Sequence, residues 1–388
     1  MRRLSIVAMA PDDWHGPWYN RQNILSRLAP HHDIAYTNGL WSVWDRGQPE
    51  WRAAPRFSSW EMADGVHLDH PSRWRLLWPK FPAWDRLLAH AQARRLRAEL
   101  PAGQPLVAHI YYPRFELYLD ALKPDFVIYH AFDRYSLFPS WTPRDDAAQR
   151  RIVARADMVI GTSLNTVEEL GGYRDGPVRH LPNGVAVEGF EAVHAISDAG
   201  GNIEPDDIAA IPGPRIGYVG TLNPKVDLAL LVELAARRPE WQFVFIGGVK
   251  QLDEDPRMRA LREATNVHLL GPRPRQTVPA YSSAMDVNII PYRVEEGLWS
   301  IAGDPLKLYE SLAARTPIVA CDLASLHGFT DVIEIAHGAD GWEAALARAL
   351  AGEGPGSTAA RWQKALANSW DQRAQTLRGW LDEMVGSR

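Results

Sequence analysis

One cysteine, Cys321, stands in 388 residues. That scarcity excludes a disulfide framework and fits a reducing cytoplasm. No apolar run approaches the ~20 residues that a membrane span requires. Leu4–Ala10, at the N-terminus, is too short and too interrupted for the core of a signal peptide. Basic charge is not in excess either: 42 Lys and Arg stand against 47 Asp and Glu, a net charge of −5. No nucleic-acid partner is expected of such a balance. No His/Cys/carboxylate cluster has metal-ligand spacing, so neither a metal nor a cofactor is expected. Repeats of 20–50 residues and low-complexity tracts are also missing. Tryptophan, by contrast, is plentiful, with 16 residues concentrated in the first half.

The chain is long enough for two domains, and short apolar runs alternate in it with amphipathic segments. Leu4–Ala10, Asp33–Thr37, Leu106–Ile110, Phe126–His130, Met158–Gly161 and Val178–Leu181 read as strands. Helices are expected near Asn20–Leu28, Ala83–Leu100, Phe115–Leu122, Arg144–Arg155 and Leu164–Leu170. Ala192–Pro214 is rich in Gly, Pro, Asp and Ala and reads as a linker. The alternation then restarts with Arg215–Val219, Gln242–Ile246, Val267–Leu269, Val287–Ile290, Ile318–Cys321 and Val332–Ile335. This is the pattern of two Rossmann-like, doubly wound α/β domains, 1–190 and 215–388, joined by residues 191–214. The last helix is expected to pack back on the first domain. Ligands in such sheets bind at the carboxyl ends of strands.

Asp304–Cys321 packs a loop, a short helix and a buried strand into one stretch. Asp304 suits an N-cap and Pro305 the first helical position. Lys307, Glu310 and Ser311 share a polar face, while Leu308 and Leu312 share an apolar one. A helix N-terminus with a lysine in its first turn is an anion site, and a glutamate one turn on can accept hydrogen bonds from a diol. The residues alone fit equally an amphipathic helix with one Lys–Glu pair on a solvated face.

The stretch resembles the P-x-K-x-x-E-x-x-A-x-G-x-P-V-V-A segment of GT-B glycosyltransferases, in particular family-4-like enzymes of bacterial surface polysaccharide synthesis. Three further pieces resemble that family in the same order: Leu181–Val185, Ile216–Leu222 with Lys225, and Asn266–Arg293. The resemblance implies an interdomain cleft and transfer of a sugar from a nucleotide-diphosphate donor, such as a UDP-sugar, to an acceptor hydroxyl on a glycan or lipid-linked acceptor. Carried over, Leu306, Lys307 and Lys225 fall on diphosphate positions and Glu310 on the ribose position. Gly271, Arg273 and Tyr292 border the base. A second glutamate common in retaining members is replaced by Ala302, and the usual glycine before the strand is Arg315. A GT-B epimerase or hydrolase and a non-catalytic nucleotide-sugar-binding subunit are the alternatives.

On the acceptor side, Tyr129–Ser136 resembles a Y-D-x-x-D-x-Y-S pattern. Asp133 is the first candidate for the base that deprotonates the acceptor and His130 the second. His15 and Gly16 sit in a loop flanked by Trp14 and Trp18, a sugar-stacking platform by composition, and Tyr111 follows the strand Leu106–Ile110. Asp253–Asp255 spells a D-x-D metal signature without the fold context that gives it meaning.

Residues 73–97 carry seven Lys and Arg against one Asp, interleaved with Trp74, Trp78, Phe81 and Trp84. That composition suits an anionic membrane surface, with the protein peripheral on the inner face of the cell membrane. It also suits a loop and a helix whose leucines pack on the sheet.

Overall fold

The computed structural model describes residues 2–295, 298 and 303–387. They form two compact units: 1–182 with 370–388, and 183–369.

The first unit is built on an eight-stranded sheet. Its strands in chain order are β1 (Ser5–Met9), β2 (Asp33–Thr37), β3 (Ser59–Ala63), β4 (Val66–His70), β5 (Leu106–Ile110), β6 (Phe126–Ala131), β7 (Met158–Gly161) and β8 (Val178–His180). Their spatial order is β3-β4-β2-β1-β5-β6-β7-β8. Every residue of β1, β5, β6 and β7 is buried, as strands covered by helices on both faces must be. Apart from β3, the strands run parallel, with Ile6 opposite both Ile34 and Val107. The hairpin β3–β4 is an addition to the strands expected from the sequence. Its turn is Asp64-Gly65, both with positive φ (51° and 76°), the two-residue connection that Asp-Gly favours.

The second unit has six parallel strands: β9 (Arg215–Val219), β10 (Gln242–Ile246), β11 (Val267–Gly271), β12 (Val287–Ile290), β13 (Ile318–Ala320) and β14 (Glu334–Ile335). Their order is β11-β10-β9-β12-β13-β14. Both sheets reverse strand order beside their first strand, the doubly wound arrangement.

The expected linker is not one. Residues 187–198 form a helix that buries Val187, Phe190 and His194, and a short turn of helix spans Asp206–Ala209. Both belong to the second unit, because apolar residues hidden among Gly and Asp still find a core. The last helix, Trp370–Gly386, clusters with the first unit, where Arg27 Nε donates to Asp371 at 3.0 Å. No described helix is long and apolar enough to cross a membrane.

Candidate functional site

In the second unit three adjacent strands end in glycine: Gly220 after β9, Gly247 after β10 and Gly271 closing β11. Their φ values are 148°, 146° and 73°, which only glycine adopts without strain. Gly220 N–H donates to Ile246 C=O (2.7 Å) and Gly247 N–H to Gly271 C=O (2.9 Å), so the strand ends lie flush. A Cβ on Gly247 would strike the Gly220 carbonyl, and one on Gly220 would strike the Lys307 ammonium. Lys307 therefore lies directly over the bare backbone of Gly220.

Two cations meet here. Lys307 Nζ stands 4.9 Å from the Tyr218 ring centre, and Lys225 Nζ 4.5 Å from that of Tyr292. The Lys225 loop is held by the backbone: Arg293 N–H donates to Lys225 C=O at 2.8 Å and Asp227 N–H to Pro291 C=O at 2.8 Å. Both tyrosines are buried, and Tyr218 O–H donates to Thr221 C=O at 3.1 Å. Burial pushes the Tyr292 phenol up, but the Lys307 and Lys225 ammonium groups outweigh it and leave it below its ordinary value. Burial and Tyr292 drive Tyr218 well up.

The helix Leu306–Ala313 points its N-terminus at the same place, and the first-turn N–H groups of Leu306 and Lys307 have no intrahelical acceptor. The cap position belongs to Pro305, one residue later than expected from the sequence. Asp304 holds the preceding loop instead: its carboxylate accepts from Asn183 N–H (2.6 Å) and Tyr309 O–H (3.0 Å), and its carbonyl from the Asn183 amide (2.7 Å). Glu310 is half-buried. Burial raises its carboxyl pKa against the opposing pull of Lys307. Neither residue forms a salt bridge among the described residues, so a cation and an acceptor stand side by side without neutralising each other. The helix closes on Arg315 in the left-handed conformation (φ 66°) despite its Cβ, with its N–H on Leu312 C=O at 3.1 Å and its guanidinium 4.9 Å from the Trp362 ring. Ala302 and Glu296 lie outside the described residues.

Lys225, Tyr292, Leu306, Lys307 and Glu310 are thus gathered by the fold, with Gly271 on the same strand-end row. The Arg273 side chain is engaged by the fold, which leaves only its backbone for a base: Nη2 donates to Asp207 at 2.6 Å and Nε to Tyr281 O–H at 2.8 Å. Asp207, hidden in the supposed linker, captured it. Sequence reasoning missed Tyr218 and Gly247; the Gly-Tyr-Val-Gly and Ile-Gly-Gly strand ends were their signal. The D-x-D carboxylates serve the helix Pro256–Glu263. Asp255 caps it through Arg257 N–H (2.9 Å) and is brought to about 2 by its hydrogen bonds from Arg257, and Asp253 pairs with Arg262 at 3.4 Å.

In the first unit Asp133 follows β6 and is half-buried. His130, inside β6, is wholly buried, 3.4 Å from His109, and pushed down to about 3 by burial and by Arg21. A base needs reach and proton affinity near the working pH, and His130 has neither. Tyr111 is likewise buried, its ring stacked on His109 at 4.4 Å. His15 Nε2 faces Glu61 at 3.1 Å, and Gly16 has no positive φ. Trp14 is core and no stacking platform: it is buried against Tyr36 (5.1 Å between ring centres), and its indole donates to Asp64 at 2.9 Å.

Residues 73–97 divide. Arg95 is used by the fold, paired with buried Asp69, and Arg75 donates to Gln92 at 3.0 Å. Trp74, Trp78, Phe81, Trp84 and Leu87 are exposed, as are Lys80 and Arg86. Trp51 packs on Trp74 at 5.7 Å, which joins 49–53 to the same surface.

Residues 213–368 match the family described as glycosyl transferases group 1. Three of the four sequence resemblances fall within that span. The chain is 30% identical over 186 residues to TuaH of Bacillus subtilis (strain 168), named as a teichuronic acid biosynthesis glycosyltransferase. The alignment takes in 46% of this chain and 44% of that relative, so less than half of the relative's length is matched. Among solved structures, α,α-trehalose-6-phosphate synthase of Burkholderia multivorans superposes over 100% of both chains with a TM-score of 0.69 at 14% identity. HepE of Anabaena, solved with UDP and glucose, superposes over 98% of this chain and 100% of its own with a TM-score of 0.65 at 11% identity. The fold is the two-Rossmann GT-B fold.

Proposed function

We propose that the chain is a glycosyltransferase that moves a sugar from a nucleotide-diphosphate donor to an acceptor hydroxyl in the synthesis of a surface polysaccharide or glycolipid. One observation carries it: Lys225, Lys307 and a helix N-terminus converge over the glycine strand ends beside a half-buried carboxylate without a salt bridge. Two ammonium groups and exposed N–H dipoles match a diphosphate, and Glu310 matches a ribose diol. As the acceptor oxygen bonds to the anomeric carbon, the bond to the diphosphate breaks and the nucleotide leaves with the electron pair. The lysines and the helix dipole stabilise the charge that collects on it. Asp133 takes the acceptor proton. A group-1 glycosyltransferase match over 213–368 and neighbours solved with UDP support this reading, and a UDP-sugar is the donor we favour.

The acceptor is a glycan or lipid-linked glycan, met at the cytoplasmic face of a membrane on which the exposed tryptophans and basic residues rest. Such a surface gains ~1 kcal/mol per basic residue near anionic lipid. Incubation with a panel of nucleotide sugars, following free nucleotide with and without acceptor, tests the transfer. Release that needs no acceptor would identify a hydrolase or epimerase, and binding without release a non-catalytic subunit. The membrane contact is checked by flotation. Full-length protein should rise with anionic but not neutral vesicles, and lose this at high salt or on Lys80→Glu with Arg86→Glu. No flotation with anionic vesicles at low salt rejects it.

A further inference from the structure

The helix Leu306–Ala313 forgoes the cap that its own sequence offers. Asp304-Pro305 is a capping carboxylate followed by a first-position proline. In that arrangement the Asp304 side chain would accept from Leu306 N–H and Lys307 N–H, the second and third helical donors. Instead Pro305 is the cap residue, extended at ψ 119°, and no side chain caps the helix. Neither N–H has another partner among the described residues. The carboxylate is held elsewhere. Asn183 N–H reaches it at 2.6 Å and Tyr309 O–H lies 3.0 Å from each of its oxygens, while the Asn183 amide holds the Asp304 carbonyl at 2.7 Å. One residue back, Ser325 Oγ donates to Gly303 C=O at 3.0 Å. Asn183 and Tyr309 are both buried, so these bonds are made away from competing water. A cap stabilises a helix start, and two buried donors that hold the capping carboxylate away from it serve a different end.

We propose that Asn183 and Tyr309 are positioning residues that withhold Asp304 from its helix and so keep Leu306 N–H and Lys307 N–H open for an anion. A carboxylate swung onto those donors would occupy both of them. It would also set a negative charge where the diphosphate collects its own. Tyr309 lies on the helix itself, so the second turn supplies the hydroxyl that leaves the first turn uncapped. An acid can therefore stand beside a site built from two lysines without entering it, because its oxygens are already turned to fixed, buried donors. This role rests on the donor-site reading only for the identity of the anion.

Hydrogen exchange at the two amides of the full chain tests it without any ligand. Tyr309→Phe with Asn183→Ala leaves the Asp304 carboxylate on a single backbone N–H and keeps the ring that packs on Phe329 (5.9 Å between centres). Exchange at Leu306 and Lys307 should then slow about fivefold, the protection a capping side chain confers. UDP affinity, read by calorimetry, should fall by a similar factor. Adding Asp304→Ala to the pair should bring it back to within about twofold of wild type, because the competitor is gone. Residues that merely brace the loop would give the reverse, with faster exchange in the double variant and a further loss of affinity in the triple one. If circular dichroism shows that the double variant does not fold, Tyr309→Phe alone, which removes one oxygen, should show the same signs at smaller size. Unchanged or faster exchange at these amides overturns the proposal, as does a triple variant that binds UDP no better than the double one. A wild type that does not bind UDP would remove the diphosphate reading, and exchange would still decide whether Asp304 is withheld.

Discussion

The two sheets are made by the same alternation of strand and helix, but their carboxyl ends are finished with opposite materials. In the second unit β9, β10 and β11 run out into Gly220, Gly247 and Gly271, and the side chains above them are two lysines resting on tyrosine faces. In the first unit Tyr111 follows β5 and His130 lies one residue before the end of β6, and the space is filled by rings and the buried guanidinium of Arg21. Bare backbone beneath two ammonium groups suits a ligand that is mostly charge and requires close approach. Under the proposed function the difference is a division of labour: phosphate in the second unit, the acceptor and its proton in the first.

The sharpest way to break that division is at Asp133. Asp133→Asn keeps the shape and removes the proton acceptor, so kcat should fall by ~10²–10⁴ while nucleotide affinity stays within twofold or so of wild type. Steady-state rates with calorimetry of the nucleotide check both halves. Near-normal turnover would leave the first unit without its chemical role.

Next in size come the cations. Lys307→Ala and Lys225→Ala should each weaken nucleoside-diphosphate binding by ~1.5–3 kcal/mol, the worth of a charge-assisted hydrogen bond. The losses should shrink for a nucleoside monophosphate, which offers fewer oxygens to the same two ammonium groups. Equal losses for both nucleotides would mean that the lysines hold something other than the diphosphate.

Much of the fold is visible in the sequence alone. Regular strands such as Asp33–Thr37 and Gln242–Ile246 are short apolar runs bounded by turn residues, and a buried parallel strand has no other way to look. Lys307 and Glu310 were legible because helical spacing puts them within one turn. What the sequence hid is whatever depends on partners far along the chain. Arg273 looks like any loop arginine until Asp207 and Tyr281, 66 residues upstream and 8 downstream, arrive beside it. His130 reads as a titratable residue at neutral pH by type, and only burial in the middle of a sheet removes it from that range. Arg21 gave no signal at all, since one arginine at a helix start is ordinarily solvated.

The smallest effect expected separates fold from function within a single carboxylate. Glu310 is held in the folded state with its pKa raised, first by burial, with Lys307 pulling the other way. A raised carboxyl pKa means that the ionised form is disfavoured on folding, so this group subtracts from stability. The loss begins as pH rises through the unfolded-state value and is complete above the folded one. Glu310→Gln removes the charge and keeps the shape, so its melting temperature should lie above that of wild type at pH 7. The gap should close as the pH falls, because the wild-type carboxyl then protonates as well. Nucleoside-diphosphate affinity should move the other way, dropping by about 1 kcal/mol, since an amide oxygen accepts from a ribose diol less strongly than a carboxylate. Thermal unfolding over a pH series, paired with calorimetry, reads both. A variant that is less stable at pH 7 would make Glu310 part of the scaffold. One that binds nucleotide as tightly as wild type would take the ribose away from it.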